Sequence, residues 1–161
     1  MDPVTLVISY HMNCNEMGVV KREEFVKGFE ALGCESVNDL KNVLPDLQSA
    51  LKDNREFKKI YKYVFDFLRE DGVRNVMNEV GVGMLDLLLP LRFSGPNFDN
   101  FKPKLDEFFT KRETEGIKAI KKDEWNCLLD FLEMTDGGDV TKYEDDGSWP
   151  VMIDHLVEAL K

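Results

Sequence analysis

The stretch from Asn54 to Arg69 constrains this chain more than any other. Phe57, Ile60, Tyr61, Val64, Phe65 and Leu68 recur there at three- and four-residue spacing. That period puts all six on one face of a helix, and so wide an apolar face must be buried against other elements. The other apolar groups repeat the pattern. Leu6, Val7, Ile8 and Met12 follow Asp2-Pro3, and Phe25, Val26, Phe29 and Leu32 are stopped by Gly33. Phe101, Leu105, Phe108 and Phe109 make another face, and Trp125, Leu128, Leu129 and Leu132 a further one. Trp149, Met152, Ile153, Leu156, Val157 and Leu160 close the chain. No stretch shows the strict alternation of a half-buried strand. The expectation is an all-α, compact multi-helix domain, one domain over residues 1–161.

Local signals set the expected ends. Ser36-Val37-Asn38-Asp39 has the form of a capping box, with Asp39 in place of the usual Glu or Gln. The segment it opens carries Leu40, Val43, Leu44, Leu47 and Leu51. Pro45 is expected to split it into two short helices, because proline removes a donor and crowds the preceding turn. A further helix is expected over Arg74 to Leu89, ended by Pro90. Gly81 and Gly83 inside it cost about 1 kcal/mol each relative to alanine, and close helix packing would explain them. Ser94 to Asn100 and Thr135 to Gly147 read as loops, and Ser148 as the N-cap of the last helix.

With 161 residues and 43% hydrophobic, the chain can bury a core, which separates it from disordered sequences. Its formal charge of −10 disfavours non-specific binding to nucleic acid and to anionic membranes, both of which need basic residues. The natural complement is a basic protein surface. The charge is concentrated late: the last 32 residues hold nine acids against two bases. No apolar run approaches the roughly 20 residues of a membrane helix. Met1-Asp2-Pro3 has neither the charged nor the apolar region of a signal peptide. Cys14, Cys34 and Cys127 are odd in number and form no Cys-x-x-Cys pair, so they read as thiols in a reducing, intracellular compartment. With only His11 and His155 beside them, zinc-ligand spacing is absent.

Asn13 to Glu24 has the skeleton of an EF-hand loop. Asn13 and Asn15 take positions one and three, Gly18 the sharp turn, Val20 the short β-bridge and Glu24 the twelfth position. Calcium needs several oxygen ligands with enough negative charge. Met17 offers none at position five, and two amides stand where carboxylates would. The loop therefore reads as an EF-hand-shaped connector without calcium ligands; a calcium-responsive module is the alternative. Glu23-Glu24 and Asp145-Asp146 are adjacent pairs with no nucleophile or histidine beside them. No Gly-x-Ser-x-Gly, phosphate-cradling glycine loop or His-Glu-x-x-His occurs. No residue is assigned a catalytic role, and no metal or cofactor is expected.

Several stretches together carry a resemblance. They are Gly18-Val19-Val20-Lys21-Arg22-Glu23-Glu24-Phe25, Ala31-Leu32-Gly33-Cys34-Glu35-Ser36, Phe57-Lys58 through Tyr61, and Phe65-Asp66-Phe67. The most specific are Ile120-Lys121-Lys122-Asp123-Glu124-Trp125-Asn126-Cys127-Leu128-Leu129-Asp130-Phe131 and Tyr143-Glu144-Asp145-Asp146-Gly147-Ser148-Trp149-Pro150-Val151-Met152-Ile153-Asp154. Over nearly the whole chain the sequence resembles the PONY (DCUN) domain of the defective-in-cullin-neddylation proteins.

The resemblance implies an all-helical domain with EF-hand-like pieces that bind no calcium. It implies a monomeric, non-catalytic scaffold of the nucleus or cytoplasm that promotes cullin neddylation. Such a scaffold binds a cullin C-terminal domain together with the conjugating enzyme that carries the ubiquitin-like modifier. A helical adaptor of the same fold without neddylation activity is the alternative. The family's cullin-facing patch falls on Asp123, Ser148 and Asp154, where Ser148 replaces an alanine. Its pocket for the acetylated N-terminus of the conjugating enzyme falls on Ile8, Met12, Val20, Phe67, Met84 and Leu87. Read from the residues alone, Asp123 is a first-turn carboxylate that complements the helix dipole, Asp154 a solvated helix position, and the six apolar residues ordinary core. The family's domain begins one helix-loop-helix earlier, so the domain here is expected to be N-terminally short.

Overall fold

Helix formation starts at the second residue. In the computed structural model, which describes residues 1–161, the Asp2 carboxylate accepts from the Val4 N–H at 2.9 Å and Pro3 occupies the first turn of α1 (Pro3–His11). The structure divides into two compact units, Met1–Gly72 and Val73–Lys161. The first holds α1, α2 (Arg22–Ala31), α3 (Val37–Ala50) and α4 (Asn54–Leu68). All six residues of the α4 stripe are buried, and α1 packs on α2, α3 and α4. The Ser36–Asp39 box forms in both directions: Asp39 Oδ2 accepts from the Ser36 N–H at 2.8 Å and Ser36 Oγ from the Asp39 N–H at 3.2 Å.

Pro45 does not split its segment, because α3 runs through it to Ala50. Both Pro45 and Lys41, whose carbonyl loses its partner, are exposed, so the freed group is open to solvent. On the other face Leu47 and Leu51 are buried and hold the helix together.

The second unit holds β1 (Val76–Met77), α5 (Asn78–Arg92), α6 (Pro96–Thr114), β2 (Ala119–Ile120), α7 (Lys122–Met134) and α8 (Val151–Leu160). β1 and β2 pair antiparallel, Val76 with Ile120 and Met77 with Ala119. This ladder takes the residues expected to open α5, which therefore begins at Asn78. Pro90 lies inside the last turn of α5 rather than ending it. Pro90 and Asp86 four residues earlier are again exposed, while Leu88 and Leu89 are fully buried. The expected loop over Ser94 to Asn100 shrinks to two residues. Gly95, at φ 94°, turns the chain and Pro96 starts α6. Close packing explains one of the two glycines of α5. A Cβ on Gly81 would lie 2.5 Å from Ile120 Cδ1, whereas one on Gly83 would meet nothing within 4 Å.

Ser148 is not the N-cap of the last helix. α8 starts at Val151 with Pro150 in the cap position and no side-chain cap bond. Val140–Lys142 forms a short 3-10 turn within the expected loop. The only β-bridge in the EF-hand-shaped loop joins Glu16 and Val19, so Val20 does not form it. Gly18, at φ 79°, closes a tight turn inside the loop and pairs the loop with itself. No helix is long and apolar enough to cross a membrane.

Candidate functional site

Tyr143 organises the acidic end of the chain. Its ring lies 5.8 Å from Phe131 of α7 and 5.8 Å from Trp149, centroid to centroid. Its hydroxyl donates to Asp154 Oδ1 at 3.2 Å, fixing a half-buried carboxylate in the first turn of α8. The indole N–H of Trp149 donates to the Glu144 carbonyl at 3.1 Å, and the Glu144 N–H lies 3.5 Å from Met134 Sδ. Residues 143–149 thus run along the side of α7 that carries Phe131 and Met134. Helical spacing takes that side back one turn to Cys127 and another to Asp123. Asp123 is exposed, and its Oδ1 faces the Cys127 thiol at 3.7 Å.

Asp123 does not cap its helix. Glu124 does, accepting from the Lys121 N–H at 2.9 Å. Its Oε2 also receives Arg112 Nη2 at 3.2 Å, in an ion pair whose side chains are 7% and 12% exposed. The neighbouring glutamate takes the structural role, and the Asp123 carboxylate lies at the surface. Ser148 is exposed, and its hydroxyl donates to Asp146 Oδ1 at 2.5 Å. That bond, with one from the Ser148 N–H, holds Asp146 below the usual carboxylate range. Burial pushes the Tyr143 hydroxyl up to about 12, aided by the nearby carboxylates of Asp145, Asp154 and Asp146. The result is a negative rim on an ordered aromatic base. It can receive basic side chains.

The six residues expected at the conjugating-enzyme pocket fall in both units. Ile8, Met12, Val20 and Phe67 belong to the first. Met12 and Phe67 are buried, Ile8 is half-buried and Val20 is 52% exposed. Met12 caps α1 one turn after Ile8, and a Cβ on Gly28 would collide with it. Phe67 stacks on Tyr63 at 5.4 Å. Met84 and Leu87 belong to α5 of the second unit, buried and half-buried respectively. In the EF-hand-shaped loop, Glu24 accepts from the Lys21 N–H at 2.8 Å and from the Asn15 side-chain amide at 3.2 Å. Chain donors occupy the carboxylate at the twelfth position. No group of three or more His, Cys, Asp or Glu side chains is placed to hold a metal ion.

A family model described as cullin binding matches residues 39–159. The chain belongs to the cullin-binding family. The matched stretch includes Asp123, Ser148, Asp154 and the Tyr143 scaffold. DCN1-like protein 4 of Danio rerio is 37% identical over 98% of this chain and 53% of its own length. DCN1-like protein 4 of Homo sapiens is 35% identical over 98% of the chain and 51% of its own. DCN1-like protein 5 of Homo sapiens is 32% identical over 98% of the chain and 62% of its own. The chain therefore spans about half to three fifths of these relatives. Two residues of this cullin-binding domain carry weight that its sequence did not assign them. Tyr143 was visible only as part of a motif. Arg112 continues the spacing of Leu105, Phe108 and Phe109, and a lone cation on an apolar stripe is the signal of a buried pair.

Proposed function

We propose that this chain is a non-catalytic scaffold that promotes cullin neddylation. In this reading the Asp123, Ser148 and Asp154 face binds the basic surface of a cullin C-terminal domain. The observation that carries it is the Tyr143–Asp154 hydrogen bond, which holds a carboxylate ready at the edge of a rim of further acids. A charge ordered before binding loses less entropy when a partner pairs with it. The second docking event is capture of the conjugating enzyme by its acetylated N-terminus, at Ile8, Met12, Val20, Phe67, Met84 and Leu87. Acetylation removes a charge that would be costly to bury against apolar groups. Holding both partners raises the effective concentration of the cullin lysine at the charged thioester and restricts its approach. Such a scaffold needs no acid, base or nucleophile of its own. The chain would act as a monomer in the nucleus or cytoplasm.

Asp123→Asn together with Asp154→Asn tests the cullin face. Binding to a cullin C-terminal domain should weaken at least about tenfold while thermal stability changes little, because a lost charge pair at an interface costs several kcal/mol, the exposed Asp123 carboxylate contributes little to folding, and the amide of Asp154→Asn can still accept from the Tyr143 hydroxyl. In a reconstituted neddylation reaction the variant should fail to stimulate transfer. Unchanged binding would overturn the assignment of the face, and no stimulation by the unaltered chain would overturn the function.

A further inference from the structure

The start of α5 and the second half of α6 line an open cavity of about 400 Å³, made of residues outside the acidic rim. Met77, Val82 and Phe109 give it apolar walls, and Glu79, Asp106 and Glu113 bring three carboxylates, of which Asp106 also holds Lys102 and Glu113 the Asn78 amide. Its volume lies in the range of sites that hold a small group or one side chain.

The polar lining is one-sided. Asn78, only 4% exposed, donates through Nδ2 to Glu113 Oε2 at 2.9 Å and to the Ile117 carbonyl at 2.6 Å. Both neighbours are acceptors, which fixes the amide orientation and leaves the buried Oδ1 without a partner. Thr110 and Thr114 spend their hydroxyl protons on the Asp106 and Lys111 carbonyls, at 2.9 and 2.7 Å. Both threonines line the cavity with oxygens that can now only accept. Lys118 is the one cationic side chain of the lining. Acceptors outnumber donors in the lining, which suits a ligand rich in donors.

We propose that this cavity receives an arginine side chain of a partner protein. A guanidinium offers five N–H donors and no acceptor. The methylene stem suits Met77 and Val82. Met77 lines the cavity and is still 56% exposed, which leaves apolar surface for the residues flanking the arginine. This favours an arginine carried on a chain over a free cation. The inference is independent of the roles given to Asp123 and Asp154.

The test titrates the whole chain, followed by amide NMR, with the peptide acetyl-Leu-Arg-Leu-amide. Its citrulline analogue, which has the same shape without the charge, and free arginine amide are the comparison ligands. Saturable shifts should centre on Glu79, Val82, Phe109 and Thr110, with the citrulline peptide at least about tenfold weaker. Free arginine amide should also bind more weakly than the peptide. Val82→Trp, which fills the cavity, should abolish the response. Glu79→Gln, an exposed position that folding tolerates, should weaken it if the tryptophan variant does not fold. Shifts centred on residues 144–146, equal binding of the citrulline peptide, equal binding of free arginine amide, or full binding by Glu79→Gln would each overturn the proposal.

Discussion

Replacing Arg112 by methionine tests whether the second unit depends on a buried charge. The guanidinium donates to Glu124 at 3.2 Å and to the Ala119 carbonyl at 3.3 Å, and lies 5.9 and 5.8 Å from the rings of Phe108 and Phe109. Methionine roughly keeps the stem volume, so little of the cost is cavity. What remains is a Glu124 carboxylate at 12% exposure, with the Lys121 N–H as a remaining donor. An uncompensated buried charge costs about 3–5 kcal/mol. Burial of both partners argues against the near-zero value of surface pairs. Urea unfolding, followed by the fluorescence of the fully buried Trp125, should show that loss. Adding Glu124→Leu should restore most of it, because removing both charges also removes the desolvation cost. About 1 kcal/mol should stay lost with the Lys121 N–H cap. A single-variant loss below about 1 kcal/mol, or a double variant as unstable as the sum of the singles, would refute the reasoning.

Two further outcomes rest on single contacts. Gly83→Ala should raise stability by about 0.5–1 kcal/mol, since helix propensity improves and a Cβ there meets nothing within 4 Å. Gly81→Ala should bring no such gain, because its Cβ would press on Ile120, which is 1% exposed; equal shifts in melting temperature would contradict the packing described. Tyr143, pushed up to about 12 by burial and nearby acids, keeps its proton in the fold after losing it in the unfolded chain. Its contribution is fully present below about pH 10 and is lost as the pH rises towards the folded value. Tyr143→Phe should therefore flatten part of the alkaline fall in stability, and a slope identical to that of the unaltered chain would rule this out.

Most helical faces were legible because period carried them: the stripes of α4 and α7 are buried where spacing put them, as is that of α8 from Met152 on, while Trp149 lies half-buried ahead of α8 and Phe25 and Val26 of α2 are exposed. Helix ends were less so. Pro45, Pro90 and Pro103 all lie within helices, and each is exposed together with the residue four before it. A proline costs less where water can satisfy the orphaned carbonyl, so its place on the polar face outweighs its reputation as a breaker. The β1–β2 ladder has two residues a side, too short for alternation to register. The Asp123 side of α7 could be read from residue identity, but that Glu124 takes the cap depends on Arg112, a contact twelve residues away in the chain.

One local pattern occurs in both units. Lys21-Arg22-Glu23-Glu24-Phe25 and Lys121-Lys122-Asp123-Glu124-Trp125 each read lysine, base, acid, glutamate, aromatic. In each, the glutamate reaches back to the lysine N–H, at 2.8 Å for Glu24 and 2.9 Å for Glu124. A chain donor then completes the carboxylate: the Asn15 amide in the first unit and the Arg112 guanidinium in the second. In a calcium-loaded loop the twelfth-position glutamate would grip the ion. Here the same carboxylate serves as helix cap, and its remaining capacity is met by the protein itself, so the turn needs no metal for its shape. The substitution also frees the acid one position earlier. With Glu124 engaged inward, the Asp123 carboxylate stays exposed in the first turn of α7, beside the Cys127 thiol.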